Sequence, residues 1–243
     1  LQKGGNAVDA AIAASAVQSV VCPSATGIGG DCFAIIALNG KHPISVNGSG
    51  IAPKKADLEF FINNKINKIE LTSPHSVTVP GAVHAWCSMH NSYGKLDLEE
   101  VLKGAENYAR NGFPIHEVEA LAWKEKEGKL REDKNSKNLF LKNNNSYKFG
   151  EVFKNIPLAN TIKIIAKEKI NGFYNSHITK DMTQTLNNLG GLHSEEDFYS
   201  QDTFFSRTIS NIYNDIKIHQ CPLNGPGIIV LMMMALNEKL NIK

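Results

Sequence analysis

Gly27-Ile28-Gly29-Gly30-Asp31-Cys32-Phe33 is the stretch on which the fold turns, because it joins two segments of different periodicity. Before it, residues 6–21 carry Ala7, Ala10, Ala11, Ala13, Ala14 and Ala16 interspersed with Val8, Ile12, Val17 and Val20. Alanine is the strongest helix former, and so small a side-chain surface lets another backbone approach closely, so this helix is expected to be almost wholly buried. Asn6 or Gly5 stands at its N-cap, Asp9 lies in the first turn where the helix dipole favours negative charge, and Cys22-Pro23 ends it. After the glycines, residues 32–38 read as an apolar strand. The paired glycines permit positive φ and close backbone approach, which suits either a tight turn or a ligand lying against main-chain amides. Asn39-Gly40 then predicts a hairpin to a second strand at residues 43–46.

Asn47-Gly48-Ser49-Gly50 breaks that second strand, and residues 54–68 read as a helix. Ser76-Val77-Thr78-Val79 is a short β-branched strand that stops at Pro80-Gly81, and residues 82–93 return to helical spacing. Residues 98–111 form an amphipathic helix with Val101, Leu102, Ala105, Tyr108 and Ala109 on one face and Gly112 at the C-cap. Residues 124–147, rich in Lys, Asn and Glu, read as a solvated surface excursion. Helical patterns recur at 158–169 and 176–189. Ser194 caps the short acidic run Glu195-Glu196-Asp197, which explains those carboxylates without catalysis. Residues 212–220 alternate as one strand, Cys221 to Gly227 forms a turn, and a final apolar helix runs on through Asn241-Ile242-Lys243 without a stop signal. No repeat or linker interrupts the chain, so a single domain, continuing beyond these 243 residues, is expected.

Composition excludes several classes of function. With 42% hydrophobic and 21% charged residues the chain is ordinarily globular. A net charge of +2, with bases and acids interleaved, gives no one-signed patch for nucleic acid or an anionic membrane. No apolar run approaches the roughly 18 residues of a membrane span; residues 228–236 come nearest. Cys22, Cys32, Cys87 and Cys221 form no CxxC or CxxH pair and read as free thiols, and the eight histidines show no ligand spacing, so neither metal nor cofactor is expected. Gly27 to Asp31 lacks the GxxxxGK[ST] or GxGxxG arrangement of a phosphate site. Thr26 has no adjacent base to activate it and is assigned to the turn.

Taken in order, several segments resemble the gamma-glutamyltransferase family of N-terminal-nucleophile hydrolases. Leu1-Gln2-Lys3-Gly4-Gly5-Asn6-Ala7-Val8-Asp9-Ala10-Ala11 resembles the family's opening helix, and Gly27 to Phe33 its glycine turn and first core strand. Ala52-Pro53, Ser76 to Ala82, Ala109-Arg110-Asn111-Gly112-Phe113-Pro114, Gly172-Phe173-Tyr174-Asn175 and Gly190 to Phe198 continue the series. The resemblance covers essentially the whole chain and implies an α+β fold, the αββα sandwich in which helices cover two stacked antiparallel sheets. It also implies a precursor that cleaves itself, so that a threonine at the start of the small subunit attacks an amide, its own α-amine acting as base. No cofactor is implied. No Thr-Thr-His or Thr-x-His start followed by an alternating strand occurs in residues 1–243. The nucleophile is therefore expected downstream, and the chain is expected to be a large-subunit portion truncated at both ends, with a small subunit from the same precursor as its partner.

Two departures bear on specificity. In the transferases an arginine before the Ala-Pro pair binds the α-carboxylate of the glutamyl group; here Ser49 stands in its place in Gly48-Ser49-Gly50-Ile51-Ala52-Pro53. The late turn reads Cys221-Pro222-Leu223-Asn224-Gly225-Pro226-Gly227 instead of Pro-Pro-Pro-Ser-Ser-Gly-Gly. Both resemble a broader branch that includes amidohydrolases of small acyl amides such as oxamate. The candidate substrate-binding residues are Gly48, Ser49, Gly50, His75, Ser76, Asn224 and Gly225. Against these stand plainer readings: a strand-ending turn at 48–50, a solvated loop histidine at 75, and a non-enzymatic binding module that kept the fold without the nucleophile.

Overall fold

The computed structural model describes residues 1–240, so the expected continuation of the last helix through Asn241-Ile242-Lys243 lies outside the described residues. In chain order the elements are α1 (Ala7–Val21), β1 (Cys32–Ile36), β2 (Ile44–Gly48), α2 (Leu58–Asn63), α3 (Ala82–Tyr93), α4 (Leu98–Asn111), β3 (Phe113–Pro114), α5 (Glu117–Glu132), α6 (Lys134–Phe140), β4 (Leu141–Lys142), β5 (Asn145–Ser146) and β6 (Val152–Phe153). There follow α7 (Ile156–Tyr174), α8 (His177–Asn188), α9 (Glu195–Tyr199), β7 (Phe204–Arg207), β8 (Ile209–Tyr213), β9 (Ile216–Gln220) and α10 (Gly227–Leu240). The chain is α+β, 51% helix and 13% strand. It forms two compact units, Leu1–Ile28 with Tyr93–Phe173 and Gly29–Ser92 with Tyr174–Lys243.

In the first unit α1 packs on α4. Asn6 caps α1 through its side-chain oxygen, which accepts the Val8 and Asp9 N–H groups. Asp9 closes the capping box by accepting the Asn6 N–H at 2.9 Å, and the same buried carboxylate takes the Lys95 N–H at 3.1 Å. One aspartate thus fixes both the start of α1 and the approach to α4. The helix is not wholly buried: Asp9, Ile12, Ala16, Ser19 and Val20 face the core, while Ala7, Ala11, Ala14 and Gln18 are exposed. Methyl side chains suit either surroundings, so alanine content could not reveal which face packs. α4 matches its expected bounds, with Leu98, Val101, Leu102, Ala105 and Ala109 buried, though Tyr108 is largely exposed.

The charge-rich stretch 124–147 folds instead of merely covering a surface. α5 and α6 are held by an aromatic cluster in which the Trp123 ring meets Phe140, Tyr147 and Phe153 at centroid distances of 5.6, 5.6 and 4.9 Å. Buried Glu127 accepts hydrogen bonds from the Ser146 N–H and hydroxyl and from Arg131. Phe140 and Tyr147 of this stretch thus meet a buried tryptophan, which composition alone does not show.

In the second unit β1, β2 and β7 form an antiparallel sheet with β2 in the middle. Asn39-Gly40 makes the expected turn, with Gly40 at φ +71°. The register puts Cys32 opposite Gly48 and Asn47 opposite Phe204, so β2 runs two residues further than expected, through Asn47 and Gly48. Ser45 and Val46 are fully buried. The expected helix at 54–68 shortens to α2, because Asp57 caps its start by accepting the Phe60 N–H and Lys65 takes a positive φ of 55° past its end. Residues 76–79 form no strand. Pro74–Ser76 is a 3-10 turn, and the Val79 N–H bonds to the Ile51 carbonyl of an irregular loop. Residues 212–220 are two strands and a turn, with Asn214 and Asp215 at φ of 48° and 62° joining β8 to β9. Two consecutive left-handed residues give the hairpin twist that Asn and Asp tolerate. α10 packs on that hairpin. No described helix is long and apolar enough to cross a membrane.

Candidate functional site

The candidate residues 48–50 lie where three stretches of backbone in the second unit meet without room for side chains. A Cβ on Gly48 would stand 2.4 Å from the Ala85 Cβ, one on Gly50 1.8 Å from the Val79 carbonyl oxygen, and one on Gly81 2.2 Å from the Gly48 carbonyl oxygen. These contacts fall well inside van der Waals separation, so glycine is required by space. By contrast Gly27, Gly29 and Gly30 have no atom within 4 Å of the place a Cβ would take, and no positive φ. The close approach anticipated for the glycine-rich turn therefore occurs one hairpin later.

Side chains from four places tie this loop down. Asn47 Oδ1 accepts the Ser49 N–H at 3.0 Å, Asp31 Oδ1 the Gly50 N–H at 2.8 Å, and Gln201 Oε1 the Ile51 N–H at 3.1 Å. Gln201 Nε2 donates back to the Ser49 carbonyl at 3.1 Å. Asn224, at φ +84° in the turn before α10, donates from Nδ2 to Ser49 Oγ at 3.3 Å, while Asn47 Nδ2 donates to Asn224 Oδ1 at 3.3 Å. The structure thus brings Ser49, Gly50 and Asn224 into one hydrogen-bonded set, with Gly48 just before it at the end of β2 and Gly225 next in the turn. With its lone pair engaged by Asn224, the Ser49 hydroxyl retains its own proton to donate to a neutral acceptor such as a carbonyl oxygen. Among the described residues no Lys or Arg side chain hydrogen-bonds to positions 47–51 or 223–225, and the nearest charge in the set is the Asp31 carboxylate.

His75 and Ser76 are held differently. The His75 ring lies edge-on to Phe60 and Phe61 of α2 at 5.5 and 5.6 Å, with Nδ1 buried and unpartnered. The Ser76 hydroxyl donates to the Ser73 carbonyl at 2.7 Å, closing its own turn. Neither is hydrogen-bonded to Ser49 or Asn224 among the described residues. Asp31, Asn47 and Gln201 are the members of the set that sequence reading missed. Gln201, 152 positions from Ser49, carries no local signal at all.

The titratable groups near the loop are structural. Asp197 caps α9 with Ser194 as expected and also accepts the Lys54 N–H at 2.9 Å. Burial alone would raise its carboxyl, but the Lys54 and Ser194 donors and nearby His193 hold it below the usual carboxylate range. Burial lowers His193, which is 3% exposed, and His84, whose Nδ1 lies 2.8 Å from Thr203 Oγ1. Burial pushes the Cys32 thiol up to about 11, so it stays protonated at neutral pH. All four cysteines are free thiols, Cys87 alone being fully buried. Thr26 sits in the turn after α1, its N–H bonded to the Cys22 carbonyl at 3.2 Å.

An α+β chain with a glycine-interlocked loop of this order matches the gamma-glutamyltranspeptidase family along residues 1–243, and the chain belongs to that family. Among proteins of known name it is similar to the glutathione hydrolase-like YwrD proenzyme of Bacillus subtilis, 30% identical over 98% of this chain and 45% of that protein. It is similar also to the glutathione hydrolase proenzyme of Escherichia coli, 28% identical over 100% of this chain and 43% of that protein. The chain therefore spans less than half the length of these relatives. Among solved structures, Helicobacter pylori gamma-glutamyltranspeptidase superposes with a TM-score of 0.93 at 27% identity, covering 98% of this chain and 70% of that one. Cephalosporin acylase from Bacillus halodurans superposes with a TM-score of 0.92 at 29% identity, covering 98% and 45%.

Proposed function

We propose that residues 1–243 are part of the large subunit of an amide hydrolase or acyltransferase whose substrate is a small acyl amide without a required α-carboxylate. The nucleophile would be a threonine downstream of this chain, freed when the precursor cleaves itself, and the small subunit would be the chain's partner. The observation that carries the reading is the neutral pair at Ser49 and Asn224, with the Asp31 carboxylate bonded to the adjacent Gly50 N–H. A hydroxyl cannot replace a guanidinium that grips a carboxylate with two charge-assisted bonds, and a neighbouring carboxylate repels one. The likeness to a cephalosporin acylase supports a family in which the acyl group varies.

The test is Ser49→Arg in the full-length protein, comparing gamma-glutamyl-p-nitroanilide with uncharged acyl anilides. Restoring the clamp should favour the glutamyl donor by about 2–5 kcal/mol, roughly 30-fold or more in relative kcat/KM. An unchanged preference would show that Ser49 does not meet the acyl tail.

A further inference from the structure

We propose that Cys22, His116 and Glu119, in the first compact unit, form a binding site for one zinc-class divalent cation. Cys22 is the C-cap of α1, His116 the N-cap of α5 and Glu119 lies in the first turn of α5. Their donor atoms all lie within 4.8 Å of one another. Sulfur, imidazole nitrogen and carboxylate oxygen are the three ligand types zinc takes, and tetrahedral bonds of about 2.0–2.3 Å place such donors roughly 3.2–3.8 Å apart. Closing on an ion therefore needs a movement of about 1 Å, within reach of the exposed His116 side chain.

The environment of Glu119 supplies the second argument. The residue is 0% exposed, yet its partners are neutral: the Ser24 N–H reaches Oε1 at 2.9 Å and the Ser24 hydroxyl reaches Oε2 at 2.8 Å. Among the described residues no lysine or arginine forms an ion pair with it. Buried carboxylates are ordinarily paired with a cation or coordinate a metal, and Ser24 supplies the kind of outer hydrogen bonds that aim a ligating carboxylate. Three protein donors leave a fourth tetrahedral position for water.

Binding has a defined proton balance. The Cys22 thiol loses its proton to solvent as the thiolate–metal bond forms. His116 Nδ1 now accepts the Glu119 N–H at 3.3 Å and so caps α5. Coordination through Nδ1 uses that lone pair, and coordination through Nε2 moves the ring proton onto Nδ1; either way the cap is exchanged for the metal bond. Spacing rules missed the site because Cys22 and the His116-Glu119 pair come from different helices.

The test uses the full-length protein stripped with chelator and titrated with Co²⁺ alone. The expected result is one cobalt per chain with a thiolate-to-cobalt charge-transfer band, removed by Zn²⁺ and absent in Cys22→Ser. His116→Ser keeps a capping hydroxyl, so the metal-free melting temperature should hold while cobalt affinity falls at least about tenfold. A folded protein without the band, a band that survives Cys22→Ser, or an unchanged affinity in His116→Ser overturns the proposal.

Discussion

Gly50→Ala tests whether the candidate loop is dictated by interlocking backbone. The new methyl would stand 1.8 Å from the Val79 carbonyl oxygen, 2.9 Å from Thr78 Oγ1 and 3.0 Å from the Val79 carbonyl carbon. Thr78 is exposed and can rotate away. The Val79 carbonyl cannot, since Val79 is fully buried, its N–H bonds to the Ile51 carbonyl at 2.9 Å, and the next carbonyl, of Pro80, accepts from the Tyr174 hydroxyl at 2.6 Å. Relief requires the two strands of backbone to part by about 1.5 Å. Overpacking costs about 1–3 kcal/mol where neighbours yield, and loss of the Val79–Ile51 bond adds about 1, so a destabilisation of about 2–4 kcal/mol is expected. The assay is urea unfolding of the full-length protein followed by tryptophan fluorescence. Gly29→Ala, with nothing within 4 Å, is the control and should stay within about 0.5 kcal/mol of the parent. Equal stability of Gly50→Ala and Gly29→Ala would refute the reasoning.

Two further perturbations read neighbouring parts of the same unit. Tyr174→Phe removes a hydroxyl that donates to Pro80 O and accepts the His84 N–H at 3.0 Å. Both partners are left buried, so unfolding measurements should show a loss of about 2–4 kcal/mol, and a loss under about 0.5 would mean that water replaces the hydroxyl. His193 is held neutral by burial, so its folded pKa lies below the value of about 6.5 reached when unfolded. Below that value the unfolded state binds more protons; the stability it contributes is complete above about pH 6.5 and falls as the pH drops towards the lowered folded value. His84 acts in the same direction. Urea midpoints of His193→Gln measured from pH 7 to 5 should fall less steeply than the parent's, and parallel curves would contradict this.

What was legible in the sequence was whatever local chemistry decides. Asn6, Ser194 and Gly112 announce the ends of their helices because capping is satisfied within a few residues, and Asn39-Gly40 sets a hairpin by its own dihedrals. Elements decided by partners far along the chain are not legible in this way. Residues 76–79 have the β-branched composition of a strand, but Val79 finds a loop and not a ladder to pair with. Residues 124–147 look solvated until Trp123 and Glu127 are seen to anchor them. Asn214-Asp215 carries a turn signal weaker than Asn-Gly, and the alternation running through 212–220 masks it. At the candidate site, Ser49 and Asn224 stand out through family resemblance, whereas Asp31 and Gln201 enter through long-range hydrogen bonds that no spacing encodes.

Those bonds also decide what the loop can no longer do. The amides of Ser49, Gly50 and Ile51 are each consumed internally, by Asn47, Asp31 and Gln201, and Gln201 closes its side of the loop much as an added strand would. A glycine-rich turn often serves as a nest of free N–H groups for an anion. Here those three N–H groups are already taken, so they form no such nest, and the Ser49 and Asn224 side chains can be exchanged while the backbone beneath them stays fixed.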